Sequence, residues 1–361
     1  MKVAIVHDWL TNYGGAERVL KKISELFPTA PIYTIVYNKE RMGGIFSDVR
    51  PSFIQHMPFG VQKYTAYLPF MPKAVERFDL SEYDLVISSS TCCAKGVLTR
   101  ADTLHICYCA TPMRYAWDFY FDYLKSAGGF KRKLIPHFMH HIRMWDALTA
   151  NRVDQFLANS KNVQKRIAKH YRRDSRVVYP FADTEFFIPS HRADEGYYLV
   201  VSRLVEYKRI DLAVQAFHEM GRRLVVIGDG RELENLKKLQ SPHVQFLGRC
   251  SNEKIREYYQ NCRAFVFPGE EDFGITPVEA QACGRPVIAY GRGGALETVV
   301  DGETGVFFAE QSVPSLIDAV RRFEAMDFQP EAARQNALRF SEEVFEKSFL
   351  AAVEAAQEAF R

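Results

Sequence analysis

Acidic residues cluster in the stretch PGEEDFGITPVEA, residues 268–280, directly after a short apolar run. Glu270, Glu271 and Asp272 are consecutive, and Glu279 follows further along the chain. Like charges this close repel one another, so either water solvates them or a ligand uses them. Carboxylates can accept hydrogen bonds from the hydroxyl groups of a sugar or a ribose. The stretch therefore predicts a sugar-binding pocket, with a solvated acidic loop as the alternative.

The helix after this cluster should begin near Thr276 or Pro277, because proline is tolerated in the first helical turn. Glu271 then lies on a loop and Glu279 inside the helix, so both can face one pocket. The first backbone amides of such a helix point outward and can bind a phosphate. They belong to Phe273, Gly274, Ile275 and Thr276. Paired acids of the DxD type are missing, so we expect no metal ion here.

Two cations follow another predicted strand, in the stretch VVSRLVEYKRIDL. Arg203 lies where the strand ends, and Lys208 lies just before the next helix. A planar guanidinium and a compact ammonium directed at one site suit a diphosphate. Solvated surface cations are the alternative, but the position at a strand end favours binding.

Glycines mark three further junctions between a strand and a helix. Gly14 and Gly15 precede the first helix, Gly228 and Gly230 flank Asp229, and a third pair follows a later strand, Gly293 and Gly294. A glycine at such a junction lets a phosphate or a sugar approach the backbone closely. An ordinary tight turn is the alternative at each position. The dinucleotide fingerprint GxGxxG is absent at the first junction.

Short apolar runs that alternate with amphipathic segments must position these residues. VAIVHDW, PIYTIVY, DLVISSS, TLHICYC, QFLANS and RVVYP are predicted strands of the first half, and YYLVVSRL, RLVVIGDG, VQFLG, AFVFPG and PVIAYG of the second. Strands that alternate with helices predict parallel sheets covered by helices. We therefore expect an α/β fold of two Rossmann-like, doubly wound domains with an interdomain cleft. Ligands of such sheets bind at the carboxyl ends of the strands.

The length of 361 residues agrees with two domains, because single cores rarely exceed about 300 residues. We expect domains at 1–180 and 181–341, joined by the polar segment 181–196, and a final helix over 342–361 that crosses back to the first domain. Residues up to Pro180 carry 26 Lys and Arg against 15 Asp and Glu, a net +11, and the remainder carries 21 against 29, a net −8. This asymmetry predicts different partners for the two domains.

No apolar run approaches the roughly 20 residues of a membrane span, and the start MKVAIVHDWL does not resemble a signal peptide. The seven cysteines are odd in number and show no paired CxxC spacing. They are Cys92, Cys93, Cys107, Cys109, Cys250, Cys262 and Cys283. We expect reduced thiols in the core of a cytoplasmic protein.

Together, the motifs SRL-x3-KR, GDG, E-x7-E and GG-x2-E-x3-DG-x-TG resemble those of retaining GT-B glycosyltransferases. The resemblance covers nearly the whole chain. It implies that Arg203 and Lys208 bind the donor diphosphate, that Glu279 holds the ribose and that Glu271 contacts the donor sugar. It also implies that Gly14 and Gly15 close over the donor and that no metal takes part.

The stretches HDWLTNYGGAERVL and YCATPMRYAWDFY are similar to those of bacterial O-antigen and exopolysaccharide mannosyltransferases that use GDP-mannose. Those relatives carry a histidine, which contacts the donor sugar, where this chain has Ala110. An engineered inactive variant, replacement by a neighbour such as His7 beside Asp8, or a slow natural protein would each explain the difference. The otherwise intact motifs favour the first explanation. His105 should be buried in the middle of a strand.

The same resemblance places Arg114, Trp117 and Asp118 at the sugar site, with a packed helix start as the alternative. The segment 128–150 mixes cations with apolar residues and suits an anionic lipid surface. Its relevant residues are Phe130, Lys131, Arg132, Lys133, Ile135, Phe138, Met139, Arg143 and Trp145. A helix packed on its own domain is the alternative. No nucleic-acid recognition motif accompanies the basic half.

The sequence thus predicts a metal-independent hexosyltransferase that transfers mannose from GDP-mannose to a polyprenyl-diphosphate-linked or other glycan acceptor. We expect it on the inner face of the cell membrane as a peripheral protein of surface polysaccharide synthesis. A nucleotide-sugar epimerase of the same fold and a non-catalytic nucleotide-sugar-binding protein are the alternatives. An epimerase would release a new free sugar nucleotide rather than a lengthened glycan.

Overall fold

The structure, a computed structural model, describes residues 1–126, 128–190, 193–239 and 241–361, without the side chains of Ser126, Phe130 and Lys131. The chain divides into two compact units. Unit 1 comprises Met1–Tyr179 and Glu346–Arg361, and unit 2 comprises Pro180–Phe345. The predicted linker 181–196 therefore lies in unit 2, and His191 and Arg192 within it lie outside the described residues.

Unit 1 contains a seven-stranded sheet in the order β3-β2-β1-β4-β5-β6-β7. Its strands are β1 Val3–His7, β2 Ile32–Thr34, β3 Val49–Pro51, β4 Leu85–Ser90, β5 Leu104–Cys109, β6 Gln155–Ala158 and β7 Ser175–Val177. All neighbouring pairs are parallel, and the register places His7 beside Thr34 on one side and Ser89 on the other. The central strands β4 and β5 are buried along their full length, as continuous apolar runs predict for a parallel sheet.

The helices of unit 1 connect these strands. They are α1 Gly15–Leu26, α2 Lys39–Met42, α3 Met71–Val75, α4 Tyr120–Ser126, α5 Gly129–Thr149 and α6 Lys161–Tyr171, with short 3-10 turns at Phe53–His56, Tyr64–Phe70, Ala94–Gly96 and Ala150–Arg152. Their apolar faces pack on the sheet. In α6, for example, Val163, Ile167 and Tyr171 recur at helical spacing and are buried.

Unit 2 contains a six-stranded parallel sheet in the order β10-β9-β8-β11-β12-β13. Its strands are β8 Tyr198–Val201, β9 Leu224–Ile227, β10 Val244–Gly248, β11 Ala264–Phe267, β12 Val287–Tyr290 and β13 Gly305–Phe308. Its helices are α7 Ile210–Met220, α8 Leu233–Lys238, α9 Asn252–Asn261, α10 Ile275–Ala282, α11 Ala295–Thr298, α12 Val313–Glu324 and α13 Pro330–Leu338, with a 3-10 turn at Glu206–Lys208. The final helix, α14 Glu342–Phe360, begins in unit 2 and ends in unit 1.

The predicted strands are confirmed, and two strands were missed. β3 has the sequence Val-Arg-Pro and lies at a sheet edge, where only one side needs pairing and proline is tolerated. β13 lies in the glycine-rich stretch DGETGVFF, where the sequence analysis predicted no strand. The predicted final helix has the expected bounds, and Phe345, Phe349 and Val353 on it are buried.

Six of the seven cysteines are buried, and Cys250 is half-buried; all seven are free thiols. Burial raises the pKa of the Cys262 thiol to about 12, which keeps it protonated. Within the part of the chain that the structure describes, no helix has the length and apolar character needed to cross a membrane.

Candidate functional site

The carboxyl ends of four neighbouring strands, β9, β8, β11 and β12, carry the predicted donor-site residues of unit 2. The strand order reverses between β8 and β11, which lie side by side although two strands separate them in sequence. Doubly wound sheets bind their ligands at such a reversal. Arg203 and Lys208 follow β8, and Glu271 follows β11, so the fold brings their loops to one edge of the sheet.

Lys208 and Glu271 form an ion pair through Nζ and Oε1. Both side chains are mostly buried, with exposed fractions of 11% and 21%. Lys208 ends the 3-10 turn, where its amide donates to the Val205 carbonyl at 3.0 Å. The structure therefore joins the predicted phosphate-binding cation to the predicted sugar-binding carboxylate, at the point where two adjacent strands end.

Arg203 lies in the same loop and is exposed. Its Nη2 donates to the Tyr207 hydroxyl at 3.3 Å, and the Lys208 ammonium lies 5.5 Å from the centre of the Tyr207 ring. Both cations thus contact Tyr207, which restricts the conformations of their flexible side chains. A guanidinium in this position can bind an anion at the sheet edge.

The glycines at the strand ends of unit 2 lie close to the backbone of neighbouring loops. A methyl group on Gly228 would lie 1.8 Å from the Ser202 carbonyl oxygen, and one on Gly293 would lie 2.3 Å from the Glu271 carbonyl oxygen. Similar clashes would arise between Gly230 and Leu204, between Gly269 and Lys208, and between Gly294 and Phe273. The backbone that approaches these glycines is the chain's own, so they hold the four loops against one another. The expectation that they also let a ligand approach closely stays a prediction.

Helix α10 begins at Ile275, one residue before the predicted start at Thr276. Its N-cap, Gly274, has a φ of 87°, a conformation that glycine adopts without strain. Because glycine has no side chain, the cap residue itself supplies no side-chain hydrogen bond to the first turn of the helix. Phe273 is buried and packs on Phe340. Binding of an anion at this helix end stays a prediction.

Two further residues predicted to bind the donor, Glu279 and Asp229, make contacts with other residues of unit 2. Glu279 is 3% exposed and accepts a hydrogen bond from the Tyr259 hydroxyl at 3.3 Å. Burial, and secondly the Glu279 charge, hold the pKa of Tyr259 well above its ordinary value. Asp229 accepts from the Gly230 amide at 2.8 Å and pairs with exposed Arg249 at 3.2 Å. Their ribose and donor roles stay predictions.

In unit 1, the glycine pair lies at the start of α1, where a glutamate accepts a hydrogen bond from the first of the two glycines. Gly14 is the N-cap, Gly15 is the first residue of the helix, and the Gly14 amide donates to Glu17 Oε2 at 2.9 Å. The Glu17 carboxylate thus stabilises the helix end where the sequence predicted a phosphate. This geometry favours the alternative that the glycines close a helix start, and the donor contact stays a prediction.

His7 and Asp8, at the end of β1, are both buried. Nε2 of His7 lies 3.8 Å from Glu17 Oε1, and its Nδ1 has no hydrogen-bond partner among the described residues. The Asp8 carboxylate accepts hydrogen bonds at 2.6–2.9 Å from the loop after β4. The donors are the amides of Thr91, Cys92, Cys93 and Ala94 and the Thr91 hydroxyl. Asp8 therefore anchors that loop, and its predicted contact with a sugar remains untested.

Ala110 follows β5, and its amide donates to the Ser90 carbonyl at 2.9 Å. His105, which the sequence placed in the middle of this strand, is fully buried there as expected. Its Nδ1 lies 3.1 Å from the Arg152 carbonyl, which can only accept, so Nδ1 carries the proton. Nε2 then accepts from the Ser88 hydroxyl at 2.8 Å. His105 is a satisfied structural residue.

The residues after Ala110 pack largely against unit 1 itself. Trp117 Nε1 donates to buried Asp146 at 2.7 Å, and Asp118 pairs with Arg166. The Arg114 guanidinium lies 5.4 Å from the Phe119 ring. These contacts support the packed alternative for the segment, and its sugar contacts stay predictions.

Sequence reasoning missed Glu17, Tyr259 and Arg166 as partners of the predicted site residues. The capping pattern Gly-x-x-Glu at 14–17 could have revealed Glu17. The spacing of Arg166 and His170, one helical turn apart, could have indicated two nitrogen-bearing side chains on one face of α6. Tyr259 carried no local signal, because its contact with Glu279 depends on how α9 packs against α10.

The chain matches two protein-family models. Residues 13–186 match Glycosyltransferase Family 4, and residues 181–340 match Glycosyl transferases group 1. An uncharacterized glycosyltransferase of Methanocaldococcus jannaschii is 29% identical over 45% of this chain and 47% of its own. A GDP-mannose-dependent alpha-(1-6)-phosphatidylinositol monomannoside mannosyltransferase of Mycolicibacterium smegmatis is 32% identical over 39% of this chain and 44% of its own. The matched part is thus about half the length of these relatives.

Among solved structures, Anabaena HepE in complex with UDP superposes on 98% of this chain and 100% of its own with a TM-score of 0.72 and 18% identity. The fold is therefore that of GT-B glycosyltransferases. The two family models together cover residues 13–340, and the chain belongs to the glycosyltransferases of group 1 and family 4.

Proposed function

We propose that this glycosyltransferase transfers mannose from GDP-mannose to a lipid-linked saccharide, with retention of the anomeric configuration. The observation that carries the proposal is the pairing of Lys208 with Glu271 at the reversal of the second sheet. A cation and a carboxylate side by side match a donor whose diphosphate and hydroxylated sugar are adjacent. The choice of GDP-mannose follows relatives such as the GDP-mannose-dependent enzyme of Mycolicibacterium smegmatis.

Different residues of unit 2 would bind different parts of the donor. Lys208, Arg203 and the first amides of α10 stabilise the charge of the departing diphosphate. Glu271 accepts hydrogen bonds from sugar hydroxyls. The bond between the anomeric carbon and the phosphate oxygen breaks, and the acceptor oxygen bonds to that carbon from the same face. The acceptor proton passes to the departing phosphate oxygen. We expect no metal in this step, so a chelator should leave transfer unchanged.

The exposed face of α5 supports contact with an anionic membrane. Its exposed residues are Arg132, Lys133, Leu134, His137, Phe138, His140, His141, Met144 and Leu148. The one acid in this helix, Asp146, is buried. Cations among exposed apolar side chains, with no carboxylate among them in the described helix, complement an anionic lipid surface.

Only part of the predicted membrane segment has this character. Phe138 is exposed, whereas Ile135, Met139 and Trp145 pack on the core of unit 1. Arg143 is half-buried and donates to the Ala116 carbonyl at 3.2 Å. The side chains of Phe130 and Lys131 lie outside the described residues. The proposed membrane contact therefore rests only on the exposed face of α5 and not on the rest of the segment 128–150.

Calorimetric titration with GDP-mannose, GDP, UDP-glucose and dTDP-rhamnose tests the donor. We expect selective binding of the two guanosine ligands, which does not require Ala110 to support turnover. Selective binding of another nucleotide would keep the reaction class but reject mannose from GDP-mannose. If none of the four binds, the donor site is wrongly assigned.

A non-catalytic nucleotide-sugar-binding protein is the second candidate, and Ala110 favours it. An alanine side chain cannot make the hydrogen bond that the family histidine makes. Transfer assays of the chain and of Ala110→His, with a polyprenyl-diphosphate-linked sugar as acceptor, separate the candidates. We expect Ala110→His to raise turnover at least tenfold. Donor binding without turnover in either protein would favour the binding role.

A further inference from the structure

One side chain holds both ends of the segment 111–118. Arg166 Nη1 donates to Thr111 Oγ1 at 2.6 Å, and Nη2 to the Pro112 carbonyl at 3.5 Å. Nε donates to Asp118 Oδ2 at 2.8 Å, and Nη2 also contacts that oxygen. The planar guanidinium offers five N–H groups in a fixed arrangement, so it can bridge these groups as a lysine cannot.

Arg166 is itself fixed, because α6 is anchored in the core. Ser160 caps the helix, and Ile167 and Tyr171 pack in a buried cluster. His170 lies one turn after Arg166, and its Nε2 is 3.3 Å from both Asp118 oxygens. Arg166 and His170 thus hold one carboxylate from the same face of a rigid helix.

The held segment has a second attachment through Trp117. The indole ring stacks on His170 with ring centres 4.7 Å apart and an angle of 26° between the planes. Its Nε1 donates to Asp146, which forms a buried ion pair with Lys95 at 2.8 Å. The latch, defined as Arg166 and His170 with Asp118 and Trp117, therefore connects the segment to the interior of unit 1.

Residue 110 lies between two fixed points. On one side, its amide is bound to the end of β4 through Ser90. On the other side, Arg166 holds Thr111 and Pro112. The direction of the residue 110 side chain is therefore determined by β5 and by Arg166 together, and loss of the guanidinium would release one of the two constraints.

We infer that Arg166 is a positioning residue that fixes segment 110–118 for the sugar-transfer step. The inference rests on the proposed function, in which residue 110 meets the donor sugar. Arg166 does not itself touch the substrate. Its loss should thus impair handling of the sugar while it leaves binding of the nucleotide part to unit 2 unchanged.

The test compares Arg166→Ala and Arg166→Lys, each made alone and together with Ala110→His. Lys169→Ala is the matched control, because it removes an exposed cation from the same helix. Three quantities are measured: affinity for GDP, turnover with GDP-mannose, and hydrogen–deuterium exchange of residues 110–118. We expect Arg166→Ala to accelerate exchange in this segment and to lower the turnover of the Ala110→His protein at least tenfold, with GDP affinity unchanged. Arg166→Lys should not restore turnover, and Lys169→Ala should change nothing.

If the proposed function holds, either of two results would overturn the inference. One is unchanged turnover in Arg166→Ala with Ala110→His. The other is an equal loss of GDP affinity, turnover and thermal stability, which would indicate a general structural role. If the chain binds no guanosine ligand and Ala110→His shows no turnover, the proposed function fails. In that case, hydrogen–deuterium exchange of residues 110–118 tests the role of Arg166 separately. Unchanged exchange in Arg166→Ala would refute the positioning role, and accelerated exchange would support that role with a different substrate.

Discussion

At the scale of single residues, Lys208 is the most informative side chain of the candidate site. Its ammonium is largely buried and is neutralised by Glu271. A buried cation without a partner is costly, so the pair explains how a largely buried lysine is tolerated near this strand end. A diphosphate would add further negative charge beside the same ammonium.

We predict that Lys208→Ala weakens GDP binding by about 1.5 to 3 kcal/mol, or roughly tenfold to 150-fold, because a hydrogen bond to a charged group is lost. Calorimetric titration of the variant measures the change. Lys237→Ala, an exposed lysine on α8 of the same unit, is the control and should bind GDP normally. Unchanged affinity in Lys208→Ala would place the phosphate site elsewhere.

At the scale of elements, α5 has one face that packs in the core and another on which the proposed membrane contact rests. Met139, Ile142 and Asp146 are buried, and the opposite face exposes cations and apolar side chains. The buried carboxylate is neutralised by Lys95, so it leaves no negative charge to oppose an anionic surface.

We predict that the double variant Arg132→Ala, Lys133→Ala lowers partition onto phosphatidylglycerol vesicles by about 2 kcal/mol, or roughly thirtyfold, because each cation near an anionic surface contributes about 1 kcal/mol. Vesicle cosedimentation at low salt measures the partition. Lys237→Ala with Lys238→Ala removes two cations from α8 and is the control. Equal binding by all three proteins would reject this face of α5 as the contact.

At the scale of the whole molecule, the buried titratable groups determine how stability depends on pH. Burial lowers the pKa of His105 to about 4, below the value of about 6.5 for a free imidazole. Between these values the unfolded chain binds a proton that the folded protein excludes. His105 therefore contributes its full stability above pH 6.5 and loses it as the pH falls towards 4.

We predict that His105→Gln reduces the loss of unfolding free energy between pH 7 and pH 4.5 by about 2 to 3 kcal/mol. Urea unfolding of both proteins at the two pH values measures the difference. Asp118 contributes little in this range, because its hydrogen bond with His170 and the charge of Arg166 lower its pKa to about 2 and an unfolded aspartate also titrates below pH 4.5. Parallel pH dependence in the two proteins would contradict the assignment.

The sequence by itself determined most of the strand and helix pattern, the two parallel sheets and the strand ends at which we propose the donor site. These follow from local signals, because apolar runs, glycines and prolines report on a few neighbouring residues. The short acidic run, the pair Arg203 and Lys208 and the start of α10 were all recognised in this way.

Only the tertiary structure decided which residues meet. It paired Lys208 with Glu271, placed Glu17 on the helix end predicted for a phosphate, and packed the glycines at the strand ends of unit 2 against the backbone of neighbouring loops. It also assembled the latch around Arg166 from segments about 50 residues apart. Except for the local contact of Glu17 with Gly14, these contacts depend on strand order and helix packing, which bring residues together that are distant in the sequence.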